Sequence, residues 1–374
     1  MKVLHINSYY GGGMLYKNIY DRQVRNGIPI DVYVPTPFTT DLSHLQLGEY
    51  TTVRKNHYKF DRYLFYVKHK KIYKDLVKNF NVQDYSLVHA HTLFSNGYIA
   101  LQTKKKFGIP YVVAVRNTDV NQFFKRRVFL RSLGIEILKE AESIIFLSDS
   151  YKNIVVETYV AEKDKKEILE KSIIIPNGID EFWFNNLGNP KTLSQPKSIN
   201  IIFIGAVNNN KNILTSARAL EMLQGRGYKV KFTVVGKISN EQVYEELMKF
   251  SFVNYLKPQP KESLLEIYRS HDIFVMPSLT ETFGLVYPEA MSQGLPLIYS
   301  KGQGFDGQFE EGKVGYHVDS LDPTMIADRI IDIMKNYEDI SKNCLALVDN
   351  FNWDRLLTQY DDVYARALQN ESKR

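Results

Sequence analysis

The chain has 374 residues, of which 44% are hydrophobic and 24% charged, with Cys344 its single cysteine. That is globular composition in a chain too long for one typical core, so two domains are expected. One thiol excludes an internal disulfide framework and a cysteine-rich metal site, and it fits a reducing cytoplasm. The net charge of +6 is uneven. Residues 1–180 hold 27 Lys and Arg against 18 Asp and Glu, and residues 181–374 hold 21 against 24. The first half is therefore expected to meet something anionic.

The opening "MKVLHINSYYGGG" turns polar at Asn7 and reads as a first strand rather than a signal peptide. No stretch approaches the roughly 18 apolar residues of a membrane span. "KVLHI", "IDVYV", "SLVHA", "YVVAV", "SIIFLS" and "SIIIP" are short and β-branched, as buried parallel strands are. Amphipathic stretches such as 14–26 and 95–107 lie between them and predict helices on the sheet faces. Strand signal stops at "NNLGNPKTLSQPKS", residues 185–198, which is polar, holds two prolines and reads as a linker. The alternation restarts with "INIIFIG", "YKVKFTVVG", "FVNYL", "DIFVMP" and "LPLIYS", and residues 322–370 are nearly all helical in pattern. The expected fold is α/β: two doubly wound, Rossmann-like domains, 1–184 and 199–350, with ligands in the cleft between them.

Three stretches suit an anionic ligand. In "INSYYGGGM", residues 6–14, Gly11, Gly12 and Gly13 follow the first strand and precede a helix. Glycine permits close backbone approach and a helix N-terminus favours anions, although a bare glycine turn reads the same way. "IGAVNNNKN", residues 204–212, takes the matching place in the second domain. There Lys211, beyond Gly205, either neutralises a diphosphate or is a solvated lysine in a polar turn. In "LTETFGLVYPEAMSQGLP", residues 279–296, Pro288 must lie near a helix start and Gly294 with Pro296 closes the helix, expected over about 285–293. The N–H groups around Phe283, Gly284 and Leu285 are then free for phosphate. Glu289 can accept hydrogen bonds from a ribose diol, and Glu281 can face a transferred group. An acidic helix start that needs no ligand is the plain alternative.

"ETFGLVYPE" resembles the E-x7-E motif of glycosyltransferase family 4, retaining enzymes of the GT-B fold. The resemblance extends over nearly the whole chain: "SLVHAH", "GIPYVVAV", "IIPNGID", "SHDIFVMPSLTETFGL", "GYHVDSLDP" and "FNWDRLLTQYDDVY" each resemble a family segment in order. It implies a nucleotide-sugar donor, UDP-linked rather than GDP-linked, in an interdomain cleft. It places the diphosphate on Lys211, ribose on Glu289, the donor sugar against Glu281, and Gly11 to Gly13 near phosphates and sugar. It implies no metal and no other cofactor, and retention by front-face attack in which the leaving phosphate oxygen takes the acceptor proton. It also implies that the terminal helix, 351–374, packs back on the first domain. Two departures stand out. Gly205-Ala206 replaces the frequent Gly-Arg, and Arg116-Asn117-Thr118-Asp119 replaces the frequent His-Gly-x-Asp. Arg116 can supply the missing cation, contact an acceptor phosphate, or pair with Asp119. Both residues join Glu281 as candidate catalytic groups.

"RKNHYKFDRYLFYVKHKKIYKDLVKNF", residues 54–80, mixes cations with aromatics and reads mainly as an amphipathic helix, with further charge in 104–106 and 125–131. Such a helix either lies on an anionic membrane or is a solvated helix packed on the first sheet. No recognised nucleic-acid module is present. The expected activity is a metal-independent hexosyltransferase of bacterial type, moving sugar from a UDP-sugar to a glycan or lipid-linked acceptor in surface polysaccharide or glycoconjugate synthesis. It would be cytoplasmic and peripheral on the inner face of the membrane. A nucleotide-sugar epimerase of the same fold and a non-catalytic nucleotide-sugar-binding subunit are the alternatives.

Overall fold

A computed structural model describes residues 1–12, 15–41, 43, 45 and 47–371. The chain divides into two compact units, Met1–Asn177 with Trp353–Arg374, and Gly178–Asn352. The first carries strands β1 (Val3–Ile6), β2 (Ile30–Pro37), β3 (Thr51–His57), β4 (Leu87–Ala90), β5 (Tyr111–Val115), β6 (Ser143–Phe146) and β7 (Ser172–Ile174). They form one parallel sheet in the order β3-β2-β1-β4-β5-β6-β7. The second carries β8 (Ser198–Ile204), β9 (Lys229–Val235), β10 (Val253–Leu256), β11 (Ile273–Val275), β12 (Leu297–Ser300) and β13 (Gly315–Val318). Its sheet is also parallel, in the order β10-β9-β8-β11-β12-β13. The doubly wound α/β class read from the sequence is the observed one. Each sheet reverses its winding once, between β1 and β4 and between β8 and β11. At such points the loops leaving the strands part and open a ligand crevice.

Central strands are buried on both faces, which is why β1, β4, β5 and β6 read as continuous apolar runs. The helix Trp353–Glu371 belongs to the first unit. Its Trp353, Leu356, Leu357, Tyr360, Val363, Tyr364 and Ala367 recur at helical spacing and enter the same core as Val3, Leu87, Val112 and Ile145. Burying a side chain of Leu or Phe size contributes about 1.5–3 kcal/mol, so this stripe fixes the chain's end firmly to the first sheet.

Three expectations need correction. Residues 185–198 are not a free linker but lie along the second unit. Gly188 donates its N–H to the Ser292 carbonyl at 2.8 Å, and Lys191 donates its own to Ser341 Oγ at 2.8 Å. The Lys191 ammonium also crowns the end of the helix Lys261–Arg269, on the carbonyls of Tyr268, Arg269 and His271 at 3.2, 2.7 and 2.5 Å. The units divide instead at Asn177/Gly178 and Asn352/Trp353. Residues 54–57 are the end of edge strand β3, and the amphipathic helix runs only over Phe65–Asn79. The helix expected over 285–293 is shorter, Val286–Met291.

Candidate functional site

The loop after β8 is built around three asparagines. Asn208 Oδ1 accepts the Lys211 N–H at 3.0 Å and caps the turn Asn209–Lys211. The Asn210 amide donates to the Thr280 carbonyl at 2.9 Å, while its own carbonyl accepts the Leu279 N–H at 2.8 Å. Asn212 takes the left-handed conformation, φ 54°, and its amide donates to the carbonyls of Pro277, at 3.0 Å, and Ser320. The β8 loop is thereby tied to the loop that follows β11, across the switch point of the sheet.

That tie brings two candidate residues into contact. Lys211 Nζ lies 2.5 Å from Glu281 Oε2, with both side chains mostly shielded from water. Glu281 is fixed from several sides: its N–H donates to Gln303 Oε1 at 3.0 Å, its Oε1 accepts the Thr282 N–H at 3.0 Å, and its carbonyl accepts the Gly304 N–H at 3.2 Å. Gly304 has no room for a side chain, since a Cβ there would sit 1.8 Å from the Thr282 carbonyl oxygen. Gly205 lies beside the Lys211 stem, where a Cβ would be 3.7 Å from Lys211 Cε. The pair places a fixed positive and a fixed negative charge at the carboxyl end of β8 and β11.

The motif then turns sharply. Phe283 is buried, its ring near those of Phe305 and Phe351 at 5.8 and 5.6 Å, so its side chain is core and only its backbone is available. Gly284 has φ +79°, and a Cβ would fall 2.5 Å from the Tyr287 ring, so glycine is required there. Among the described residues no partner takes the N–H groups of Phe283, Gly284 or Leu285. Glu289 follows on the short helix and keeps different company. Its half-buried carboxyl lies by Tyr268, Trp183 and Asp180 rather than by Lys211. Burial, and next the charge of Asp180, raise it to about 7, while hydrogen bonds from Tyr268 and Trp183 act the other way. The Trp183 and Tyr268 rings meet edge-on at 5.6 Å.

In the first unit, the turn Tyr10–Gly12 leaves β1, so Gly11 and Gly12 stand at the carboxyl end of that strand, and Gly13 lies outside the described residues. Arg116 follows β5 and is buried. Its Nε donates to the His91 carbonyl and its Nη1 to Asn177 Oδ1, both at 3.3 Å, with the Tyr360 hydroxyl also bonded to it. Among the described residues no ion pair joins the Asp119 carboxylate to the Arg116 guanidinium, although each charge favours the other. The Asp119 carboxylate accepts three backbone N–H groups, those of Leu93 at 3.0 Å, Phe94 at 3.1 Å and Arg116 at 2.9 Å. Burial lifts its pKa to about 6 in spite of them. Asp119 thereby ties the loops after β4 and β5 together. Ala206 has no charged side chain to replace the family arginine, and it brings none to the Lys211 loop.

The asparagines, Gln303, Trp183 and Tyr268 were not singled out in the sequence. The cap that Asn208 makes on Lys211 is local to "NNNKN", but the stitching by Asn210 and Asn212 depends on a loop 65 to 70 residues further on. Two clusters among the described residues bring His, Asp or Glu ligand atoms within 4.8 Å of one another: His5 with His89 and His91, and Asp306 with Glu311 and His317. Neither includes Lys211 or Glu281.

Residues 10–181 match the family described as Glycosyltransferase Family 4, and residues 188–345 match the one described as Glycosyl transferases group 1. Sucrose-phosphate synthase from Thermosynechococcus elongatus has a TM-score of 0.72 at 18% identity, over 98% of both chains. HepE from Anabaena, solved with UDP and glucose, has a TM-score of 0.65 at 15% identity, over 98% of this chain and 99% of its own. The architecture is thus that of the GT-B glycosyltransferases. In sequence, D-inositol 3-phosphate glycosyltransferase from Corynebacterium urealyticum is 25% identical over 302 residues, 75% of this chain and 71% of the relative. The protein of that name from Corynebacterium efficiens is 32% identical over 122 residues, 32% of this chain and 29% of the relative. An uncharacterized glycosyltransferase from Methanocaldococcus jannaschii is 24% identical over 77% of each chain. The chain belongs to glycosyltransferase family 4.

Proposed function

We propose that the protein is a retaining hexosyltransferase that uses a UDP-sugar without a metal ion and serves bacterial surface polysaccharide or glycoconjugate synthesis. The observation that carries this reading is the Lys211–Glu281 pair, set beside the N–H groups of Phe283, Gly284 and Leu285, which no partner takes among the described residues. A donor diphosphate is a better partner for Lys211 than a single carboxylate, because it offers more charge and several acceptor oxygens. On binding it takes the ammonium from Glu281 and accepts from the backbone N–H groups. Glu281 is released toward the sugar hydroxyls, and Glu289 accepts from the ribose diol. The acceptor hydroxyl attacks the anomeric carbon on the face that the diphosphate leaves. The C–O bond to phosphate breaks, the new glycosidic bond forms, and the hydroxyl proton passes to the departing phosphate oxygen. Lys211 and the N–H groups stabilise the charge that develops there.

The acceptor in this reading is a glycan or a lipid-linked molecule, and Arg116 suits a phosphate in it. Relatives named for D-inositol 3-phosphate, and HepE solved with UDP and glucose, support a phosphate-bearing acceptor and a uridine donor. Such an acceptor fits an enzyme working in the cytoplasm against an anionic inner membrane face. Calorimetry with UDP, GDP and their glucose and mannose conjugates, in chelator, tests it. UDP and a UDP-sugar are expected to bind stoichiometrically. Binding of neither, or of the guanosine series alone, would overturn the donor assignment.

A further inference from the structure

The first unit presents large apolar side chains that its own core does not use. The helix Phe65–Asn79 anchors itself through Phe65, His69, Ile72 and Leu76. Yet Tyr66 and Val67 are exposed, and before the helix Phe60, Tyr63 and Leu64 are 62%, 69% and 54% exposed. A second segment adds Val128 and Phe129, 59% and 72% exposed. The two segments are neighbours. The Phe65 ring lies 6.0 Å from that of Phe123, and the Arg127 guanidinium sits 4.9 Å over Phe123. Beside them Tyr58 stacks on Phe60 at 5.3 Å and meets Phe38 at 4.9 Å. Scattered exposed apolar residues are ordinary, but a cluster of this kind marks a surface that something covers.

The charges around it say what that is. Residues 58–74 hold six Lys and Arg against one acid, Asp61, and residues 125–129 hold three more cations with no acid. Asp61 is buried and paired with Lys71 at 2.7 Å, so it contributes no exposed negative charge. Lys59, Arg62, Lys70, Lys74, Lys125 and Arg126 are exposed. Protein interfaces are depleted in lysine, whereas aromatic tips among lysines and arginines suit the boundary between acyl chains and anionic headgroups. No helix among the described residues is long and apolar enough to cross a membrane.

We infer that residues 58–67 and 128–129 form a docking face for an anionic lipid bilayer, with Phe60, Tyr63, Leu64 and Phe129 entering the headgroup boundary and the surrounding cations holding the lipid phosphates. The inference gives the membrane side of the proposed function a specific surface, and it rests on that reading only for its purpose. Flotation with vesicles of phosphatidylcholine, alone or with phosphatidylglycerol, tests it in the absence of donor and acceptor. The wild type is expected to float with the anionic vesicles at low salt and not with the neutral ones. Phe60→Ala with Phe129→Ala should weaken binding about tenfold or more, as the loss of two partly inserted aromatics implies. Lys70→Gln with Lys74→Gln should weaken it and reduce its dependence on salt. Melting temperatures should not change, because these side chains are exposed. Phe129→Trp should shift its emission to the blue when anionic vesicles are added. The proposal is overturned if the wild type stays with the soluble fraction at low salt, or if Phe60→Ala with Phe129→Ala floats as the wild type does. It is equally overturned if the face proves to be covered by a second copy in sedimentation, or captures single-stranded oligonucleotide rather than vesicles. A failure here leaves the donor site standing, because UDP binding is measured separately.

Discussion

Replacing Glu289 by glutamine should stabilise the ligand-free protein while weakening its donor complex. The Glu289 carboxyl is raised from 4.5 to about 7, by burial first and the charge of Asp180 second. The folded state therefore keeps a proton that the unfolded chain releases as pH rises from about 4.5 to about 7. The stability this proton contributes is fully present below the unfolded value and is lost as pH rises through the folded one. Above it the fold holds an ionised, poorly solvated carboxylate. At 1.36 kcal/mol per pKa unit the shift sets a ceiling of about 3 kcal/mol, and some exposure brings the expected cost to about 1–3 kcal/mol. Glutamine keeps the shape and can still accept from Tyr268 and Trp183 without the charge. A unit of this size shifts its melting point by about 2–4 °C per kcal/mol, so Glu289→Gln should melt about 3–10 °C higher at pH 8. By pH 5 most of that advantage should be gone. Calorimetry at pH 8 should show UDP binding about tenfold weaker, since glutamine accepts only part of what a carboxylate accepts from a diol. A variant no more stable than the wild type at pH 8, or equally favoured at both pH values, would show that no ionised, poorly solvated carboxylate burdens the fold at position 289.

Lys211→Ala should weaken UDP binding about 10- to 150-fold, as loss of a hydrogen bond to a charged group implies, whereas Glu281→Gln, which frees Lys211, should bind free UDP as tightly as the wild type or more so and turn over slowly. Calorimetry set beside steady-state rates checks both, and weaker UDP binding in Glu281→Gln would contradict the idea that the two compete for one cation. His5, His89 and His91 are buried neutral, His5 lowered to about 3 by desolvation first and the other two also lowered by burial. The unfolded chain takes up their protons below about 6.5, so stability should be complete above that pH and fall at up to about 1.4 kcal/mol per proton per pH unit below it. The raised carboxyls of Glu289 and Asp119 oppose this in part. Denaturant midpoints between pH 7 and 5 measure the balance, and a midpoint that rises toward pH 5 would contradict it. EDTA should leave turnover intact, because the proposed function puts the diphosphate on Lys211 and backbone N–H groups rather than on a metal. Activity lost to chelation and restored by Mg²⁺ or Mn²⁺ would sink that assignment.

What was legible in the chain follows from how locally each feature is encoded. The buried strands announced themselves as β-branched runs, and the stripe on the helix Trp353–Glu371 as apolar residues at helical spacing. β3 and β13 did not, because polar residues such as Arg54, Lys55 and His317 interrupt their apolar runs, whereas the other edge strands, β7 and β10, keep a short apolar run. Residues 185–198 look like a linker in composition. Nothing local reveals that Lys191 caps a helix more than 70 residues further on. At the site, Lys211, Glu281 and the 283–285 backbone could be named from glycine, proline and charge. The environment of Glu289 could not, since Trp183 and Tyr268 reach it from other elements. Arg116 and Asp119 were adjacent enough to suggest a pair, but the carboxylate goes to backbone N–H groups because buried backbone donors must also be satisfied.

The proposed reaction transfers a sugar from a nucleotide donor to an acceptor with its anomeric configuration kept. Proton NMR of the protein with UDP-glucose, UDP-galactose or UDP-N-acetylglucosamine, each with and without inositol phosphate or a lipid-linked glycan, tests it directly. UDP and a new glycoside are expected in equal amounts, formed only with acceptor and with the donor's anomeric coupling constant. An epimerised sugar nucleotide in the acceptor-free sample, or a glycoside of inverted configuration, would contradict it.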